Sequence, residues 1–449
     1  MSAAPSPTRD QNTDRGDHSA PLGAGTRSSF ARDSLTSILG NWGSFVIGAL
    51  GGLILSRTLQ PEGKGVYTAL YTVALIAGTT ASLGTDMWVS RRAAEIGIDA
   101  RLRSLVHRHM VAIAFAGLVV AFGVILFAPS ITTIRVAPLL LVVGGAVTLG
   151  WQGMINSIYR GRRKVRQLVA VQLTNAAGFL LAVALLATKG QLSIDAALAI
   201  PLATRLVSIA TPTTFRVLRS SLTTWTEWFW IVREHLTVSI GLLIEFAIYR
   251  MDIFVVGALL GPARLGIYSV ALPLSELLWI APNAIAQVLF PHIAASRSTT
   301  ATETITRLTV IISCVGGIGL VLVGPSVITF AYGEPFSDAG SVLPMLAFAA
   351  VLLAVWKIVT TDLLARGDSS ARTRGAFAAL VVLVIVLPPL TTWLGIRGAA
   401  AATAIAYLAA LIHGVRVWSR LPDASVKRLV PVDRNDLSLI REAVRGRSA

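Results

Sequence analysis

Between about residue 36 and residue 418 the chain is a succession of apolar blocks, each close to the length of a membrane-crossing helix and separated by short polar breaks. A hydrocarbon core about 30 Å thick needs roughly 20 apolar residues in a helix rising about 1.5 Å per residue. Inside that core every backbone N–H and C=O must be paired within the segment, so such blocks read as helices. Hydropathy places them near 36–57, 66–89, 109–128, 134–158, 167–187 and 193–215, then near 236–259, 266–290, 306–330, 341–364, 373–393 and 397–418. The predicted fold class is an all-α polytopic membrane protein with twelve transmembrane helices. Composition agrees, because only 14% of residues are charged where a soluble domain carries about a quarter.

The net charge of +16 raises the question of nucleic acid, but the basic residues form no recognisable nucleic-acid module. They fall instead on alternate connections. Arg91 to Arg108, Arg160 to Arg166, Arg216 to Arg233, Arg366 to Arg374 and the two tails share one side, against Arg57, Lys64, Arg135, Lys189, Arg264 and Arg397 on the other. The positive-inside rule then predicts that both termini are cytoplasmic.

This gives a domain plan of a disordered tail (1–35), a six-helix lobe (36–217), a linker (218–235), a second six-helix lobe (236–419) and a basic tail (420–449). The first tail lacks the basic start and apolar run of a cleavable signal. The lone Cys314 reads as a small packing residue. With no Walker-type loop, no histidine cluster at ligand spacing and no connection long enough for an external catalytic domain, no cofactor, metal or enzymatic activity is expected.

The halves echo one another. QPEGKGVYTALY, from Gln60, recurs as GPARLGIYSVAL, from Gly261, so that Pro61, Gly65 and Tyr67 match Pro262, Gly266 and Tyr268 at an offset of 201. A second echo, Tyr159-Arg160-Gly161-Arg162 against Ala365-Arg366-Gly367-Asp368, stands at 206. Six helices per copy is an even number, so the halves cross in the same sense. The repeat is therefore expected to be parallel, about an axis along the membrane normal.

Ionisable groups inside spans cost about 2.5–3.5 kcal/mol on insertion scales, and they face a cavity or a partner. Arg205, Glu245, Arg250, Asp252, Glu276, Lys357 and Asp362 are such groups, with Asp86 near a helix end. Spacing sets Glu245, Tyr249 and Asp252 on one face, and Glu276, Trp279, Asn283 and Gln287 on another. Weaker polar stripes in the first half hold Gln152 with Asn156, Gln172 with Asn175, and Asn41 with Ser44, Gly48 and Gly52. Gly48 and Gly52 also form a small-xxx-small pair suited to close helix approach. These groups either line a cavity or tie neighbouring helices together by hydrogen bonds and ion pairs.

The run RMDIFVVGALLGPARLGIYSVALPLSELLWIAPNAIAQVLFPHIAA resembles the seventh and eighth helices of Wzx-type oligosaccharide flippases, within the multidrug/oligosaccharidyl-lipid/polysaccharide (MOP) exporter superfamily. LSRTLQPEGKGVYTALYTVALIAGTTASLGTD looks like its first-lobe counterpart. The resemblance implies a V of two six-helix bundles in a bacterial inner membrane. It also implies flipping of an undecaprenyl-diphosphate-linked oligosaccharide for surface polysaccharide assembly, beside polymerase or glycosyltransferase partners.

Arg205, Arg250 and Lys357 are then candidate diphosphate contacts. Glu245, Asp252, Glu276, Asp362 and Asp86 are candidates for sugar binding or ion coupling. Asn41, Gln152, Asn156, Gln172, Asn175, Tyr249, Trp279, Asn283 and Gln287 are candidate polar lining. A cation-coupled small-molecule exporter of the same superfamily is the alternative, although the acidic residue typical of helix one in its proton-coupled members is absent. Lipid-linked peptidoglycan precursor flippases generally add two helices, for which the tail has no room. A membrane scaffold is a third class.

Overall fold

The computed structural model describes residues 24–80, 85–127, 136–218, 225–280, 282, 283, 285, 286, 293, 299–422 and 424–429. Two long helical stretches, Ala24–Thr80 and Trp225–Glu276, each contain one residue with non-helical backbone, and there the chain turns back on itself. Gln60 has φ 56° and ψ 174°, and Gly261 has φ 82° and ψ 172°. Each is followed by a proline, Pro61 or Pro262, which suits the first position of a helix because its missing N–H has no partner to lose there. Gln60 Nε2 also donates to Arg57 O at 2.6 Å, tying the first turn. The sequence reading leaves loops at these two places; a left-handed residue followed by proline makes each reversal in a single step.

Residues 24–59 form α1, 61–80 α2, 225–260 α7 and 262–276 α8. Between and after them lie α3 (Ala100–Phe127), α4 (Val136–Gly161), α5 (Val165–Thr188), α6 (Ile194–Ile209), α9 (Thr299–Tyr332), α10 (Leu343–Ala365), α11 (Ser369–Leu394) and α12 (Ile396–Trp418). Among the described residues the chain thus has the twelve limbs that hydropathy predicts. Eight helical stretches are long and apolar enough to cross a membrane, and the first of these, 39–79, holds both α1 and α2. Several limbs overrun their apolar blocks, α3 starting at Ala100 and α9 at Thr299. Backbone hydrogen bonding propagates past the point where side chains turn polar. For the same reason α1 begins at Ala24, inside the stretch expected to be a disordered tail.

Small residues set the packing of the first lobe. A Cβ on Gly40 would fall 2.4 Å from Val169, and one on Gly51 2.7 Å from Phe179, so α1 lies tight against α5 and parallel to it. In the same way α2 follows α4, with Ala74 against Gly145, and the short helix Thr85–Glu95 keeps that line, with Ser90 against Gly161. The second lobe is filled by Trp356, Leu353, Tyr268 and the fully buried alanines 399, 400, 402 and 406. Outward faces are aliphatic, as on α9, where Val315, Ile318 and Leu322 are exposed where lipid would cover them. Cys314 is exposed too, so it is not the packing residue that its apolar setting suggests.

The stretch between the lobes is partly ordered. Helix Pro212–Leu218 and the start of α7 pack on the first lobe through Val217, Ile231 and Trp228, and Trp228 Nε1 donates to His109 Nδ1 at 2.8 Å. After α12 the chain docks on the second lobe, where Glu303 Oε1 accepts from Ser425 N at 3.2 Å and Leu429 is buried.

The lobes meet where the repeated motif meets itself. A Cβ on Gly65 would lie 1.8 Å from Pro262 O and 3.0 Å from Gly266 N; one on Gly266 would lie 1.8 Å from Pro61 O and 3.0 Å from Gly65 N. Thr68 Oγ1 donates to Ser269 Oγ at 3.2 Å, another pair at the offset of 201. Such reciprocal contacts are the mark of a two-fold axis. Here the axis relates two lobes of one chain that cross the membrane in the same sense, and the lobes diverge from this contact as a V. Arg57 Nη2, donating to Phe330 O at 2.5 Å, adds a further tie at this end.

Gly65→Ala or Gly266→Ala puts a methyl group into a backbone carbonyl, so either is expected to push the lobes apart here. In a Cys314→Ser background, a cysteine replacing the buried Ser269 should react several-fold faster with a maleimide in the alanine variants. An unchanged rate would show that the contact does not hold the lobes together.

Candidate functional site: a cationic cavity between the lobes

Beneath the Gly65–Gly266 contact lies a cavity of about 600 Å³, walled mainly by the first lobe. α1 supplies Asn41, Ser44, Gly48 and Gly52, which recur at helical spacing and share one face. The two glycines have nothing within 4 Å of an added Cβ. The small-xxx-small expectation is therefore corrected: Gly40 and Gly51 make the close approach to α5, whereas Gly48 and Gly52 leave space. α2 adds Lys64, Tyr67, Thr68 and Tyr71, α4 adds Gln152, α5 adds Gln172 and Asn175, and α6 adds Arg205. The second lobe contributes Arg250, Ser269 and Glu276.

Arg205 sits one turn after Pro201 on α6 and is only 6% exposed. Its Nη2 donates to the Tyr71 hydroxyl at 2.7 Å, and its guanidinium lies 5.6 Å from the centre of that ring. Its Nη1 is buried without a hydrogen-bond partner, and no carboxylate pairs with it among the described residues. Lys64 stands over the Tyr67 ring at 5.3 Å, and Tyr67 stacks on Tyr71 with centroids 5.5 Å apart. Arg250 pairs with Glu276 at 2.5 Å. Lys64, Arg205 and Arg250 against Glu276 leave the lining two positive charges in excess. Thr204 Oγ1 donates to Asn175 Oδ1 at 3.0 Å, which orients that amide, while Gln172 Oε1 is buried with no partner. A buried, incompletely paired cation is costly, and an anionic ligand with hydrogen-bond acceptors offsets that cost.

The other expected residues lie elsewhere. Glu245 accepts from Arg372 at 2.7 Å and from the Tyr249 hydroxyl at 3.1 Å. Asp252 accepts from the Tyr268 hydroxyl at 2.7 Å and borders a pocket of about 20 Å³ with Tyr249, Glu276, Trp279 and Tyr407, room for one water. Lys357 donates to Asn283 Oδ1 at 3.0 Å and stands 5.0 Å from the Trp279 ring and 5.6 Å from Tyr249. Asp362 is fully buried, accepting from Thr302 at 2.8 Å, from Trp418 Nε1 at 2.7 Å and from Arg366. Asp86 occupies the first turn of Thr85–Glu95, where a carboxylate complements the helix dipole. Asn156 is on α4 with its Oδ1 buried and unpartnered, outside the cavity lining. Gln287 lies outside the described residues. The cavity therefore gathers Arg205, Arg250 and Glu276 with Asn41, Gln152, Gln172 and Asn175. Glu245, Asp252, Lys357 and Asp362 are engaged within the second lobe.

Sequence reasoning passes over Lys64, Tyr67 and Tyr71. A signal for two of them exists in the repeat, since Lys64 and Tyr71 stand where the second copy has Leu265 and Leu272.

The profile of the family described as polysaccharide biosynthesis protein matches residues 30–296. The chain belongs to this family. No curated protein matches the chain. Among solved structures, the lipid II flippase MurJ in an inward closed conformation matches with a TM-score of 0.64 at 9% identity, over 92% of this chain and 94% of that one. An inward-facing multidrug resistance MATE family transporter of the MOP superfamily gives 0.61 at 16% identity, over 86% and 97%. A MOP superfamily transporter from Pyrococcus furiosus Vc1 (DSM3638), described as having a binding pocket of reverse polarity, gives 0.61 at 14%, over 88% and 95%. At these identities the likeness is one of fold, that of a MOP exporter. This member of the polysaccharide family is thus a multi-pass membrane protein built on that fold.

The two kinds of glycine on α1 are separable by substitution. Gly51→Ala should lower stability by about 1–3 kcal/mol through overpacking against Phe179. Gly48→Leu should leave the melting temperature unchanged while slowing thiol labelling, in the Cys314→Ser background, of a cysteine placed at Gln172. Equal destabilisation by both changes would contradict the open space beside Gly48.

Proposed function

We propose that this protein moves an undecaprenyl-diphosphate-linked oligosaccharide from the cytoplasmic to the outer leaflet of the bacterial inner membrane, by alternating access and without catalysis. The observation that carries this reading is Arg205, buried in the cavity wall with one nitrogen unpartnered and, among the described residues, no carboxylate paired with it. A diphosphate supplies the missing acceptors and balances the excess positive charge of the lining. The amides of Asn41, Gln152, Gln172 and Asn175 offer both donors and acceptors to sugar hydroxyls, and Tyr67 and Tyr71 offer ring faces to the apolar side of a pyranose. The polyprenyl tail stays in the bilayer.

With both termini in the cytoplasm, as the charge bias predicts, the Gly65–Gly266 contact closes the outer end and the cavity loads from the inside. Release outward then requires that contact to part. Membership of a polysaccharide biosynthesis family supports the cargo, and assembly by a polymerase would follow on the far side. The likeness to multidrug transporters extends to fold alone, and a cavity with excess positive charge is a poor host for cationic drugs.

Transfer of a labelled undecaprenyl-diphosphate oligosaccharide across proteoliposomes tests the reading, with the host's own lipid-linked sugars among the substrates. Arg205→Ala should reduce transfer about ten- to a hundredfold, the range of a hydrogen bond to a charged group worth about 1.5–3 kcal/mol. Arg205→Lys should recover part of it, because the charge returns without the planar fork. Folded wild-type protein that moves none of these lipids would turn the reading to ion-driven export of small molecules.

A further inference from the structure

The turn between α4 and α5 and the turn between α10 and α11 are built on the same backbone. Arg162 N, Arg163 N and Lys164 N donate to Ile158 O, Arg160 O and Tyr159 O; Arg366 N, Gly367 N and Asp368 N donate to Asp362 O, Leu364 O and Leu363 O. Each pair of donors is 204 residues apart, so the backbone equivalence is two residues out of register with the sequence echo at 206. In this alignment Arg163, with φ 51°, stands where the second copy has Gly367, with φ 98°. Lys164 stands where Asp368 caps the following helix.

The second copy obeys local rules. Glycine takes the left-handed position, and Asp368 Oδ1 accepts from Ala371 N at 3.0 Å as an N-cap. The Ser370 hydroxyl, with the Ala371 N–H and Arg374, holds the Asp368 carboxyl below its usual range despite some desolvation. Each arginine of this turn also has a carboxylate: Arg366 has Asp362, Arg372 has Glu245 and Arg374 has Asp368.

The first copy breaks these rules in one direction. An arginine occupies the left-handed position, Lys164 makes no side-chain cap, and Arg160, Arg162, Arg163, Lys164 and Arg166 have no carboxylate partner among the described residues. Strain kept together with unbalanced charge points to a ligand rather than to folding. The location agrees. α1 runs beside α5 with Gly40 against Val169, so Asn41 of the cavity lining sits level with the first turns of α5, about 8 Å along the axis from the turn.

We propose that the α4–α5 turn binds the phosphates of an anionic membrane lipid at the mouth of the cavity, and that this lipid is the diphosphate-linked substrate about to enter. The second part rests on the flippase reading above. Clustered cations just outside a membrane helix suit such a headgroup, and binding there should weaken as ionic strength rises.

The test writes the second turn into the first. Arg163→Gly with Lys164→Asp restores the local rules while removing two cations, so stability and binding should move in opposite directions. In the detergent-solubilised full chain the melting temperature should rise, while affinity for undecaprenyl diphosphate should fall roughly thirtyfold. Arg163→Asn, which tolerates the left-handed backbone without charge, is the second variant and should weaken binding less. Phosphatidylglycerol is the competitor. Weak competition assigns the site to the substrate; competition as strong as the diphosphate's own assigns it to bilayer lipid and overturns entry by this route. Unchanged diphosphate affinity in both variants overturns the site, and if Arg205→Ala still weakens binding the flippase reading stands without it. A wild type that binds no diphosphate lipid removes both.

Discussion

The close approach of Gly65 and Gly266 is the contact on which the rest of the arrangement depends. Two helices cross where neither has a side chain, each backbone resting against a carbonyl of the other, and the residues that touch are copies of one another. That is why the motif around Pro61 and Pro262 is the part of the repeat most visible in the sequence. Proline starts a limb immediately after a reversal, and glycine lets that limb reach its counterpart. The repeat is written most clearly where the two-fold axis runs. The cavity is the space left beneath, as the lobes diverge from this point.

The lobes share a fold but differ in how buried charge is met. In the second, charge is satisfied internally: Glu245 with Arg372, Asp252 with Tyr268, and Asp362 with Thr302, Trp418 and Arg366. Its interior is filled as well, because Tyr249, where the first lobe has Gly48, packs against Trp279 and Tyr407. The first lobe leaves Gly48 open and, among the described residues, gives Arg205 no carboxylate. One half has its buried carboxylates paired, and the other is hollow and cationic.

This division governs what is legible in the sequence. Twelve limbs and two copies are legible because hydropathy and spacing are local properties. Arg205 is legible because an arginine deep in an apolar block is too costly to keep unless it faces a cavity or a partner. The partners of Glu245 and Asp362 are not, since Arg372 is 127 residues from Glu245 and Trp418 is 56 from Asp362. Sequence shows that a charge is buried but not what meets it. Gly48 and Gly52 mislead for a related reason: small residues at helical spacing permit either a helix or a void opposite, and only the fold chooses. Lys64 reads as a loop charge because it follows Pro61 so closely, yet the one-residue reversal at Gln60 brings it into the lining.

Among the described residues only Gln60 and Arg163 are non-glycine residues with positive φ, and each has a glycine at the equivalent place in the second lobe, Gly261 and Gly367. The backbone of this fold therefore asks for glycine at both reversals. The second lobe supplies it, and the first accepts about 1–3 kcal/mol of positive-φ strain at each site to carry a polar side chain instead. Gln60 returns part of that by bonding Arg57 O, so its strain is offset within its own turn. Arg163 has no such return: it is exposed and, among the described residues, has no carboxylate partner. The same backbone demand, met in two ways within one chain, separates a residue kept for its turn from one kept for what lies outside it.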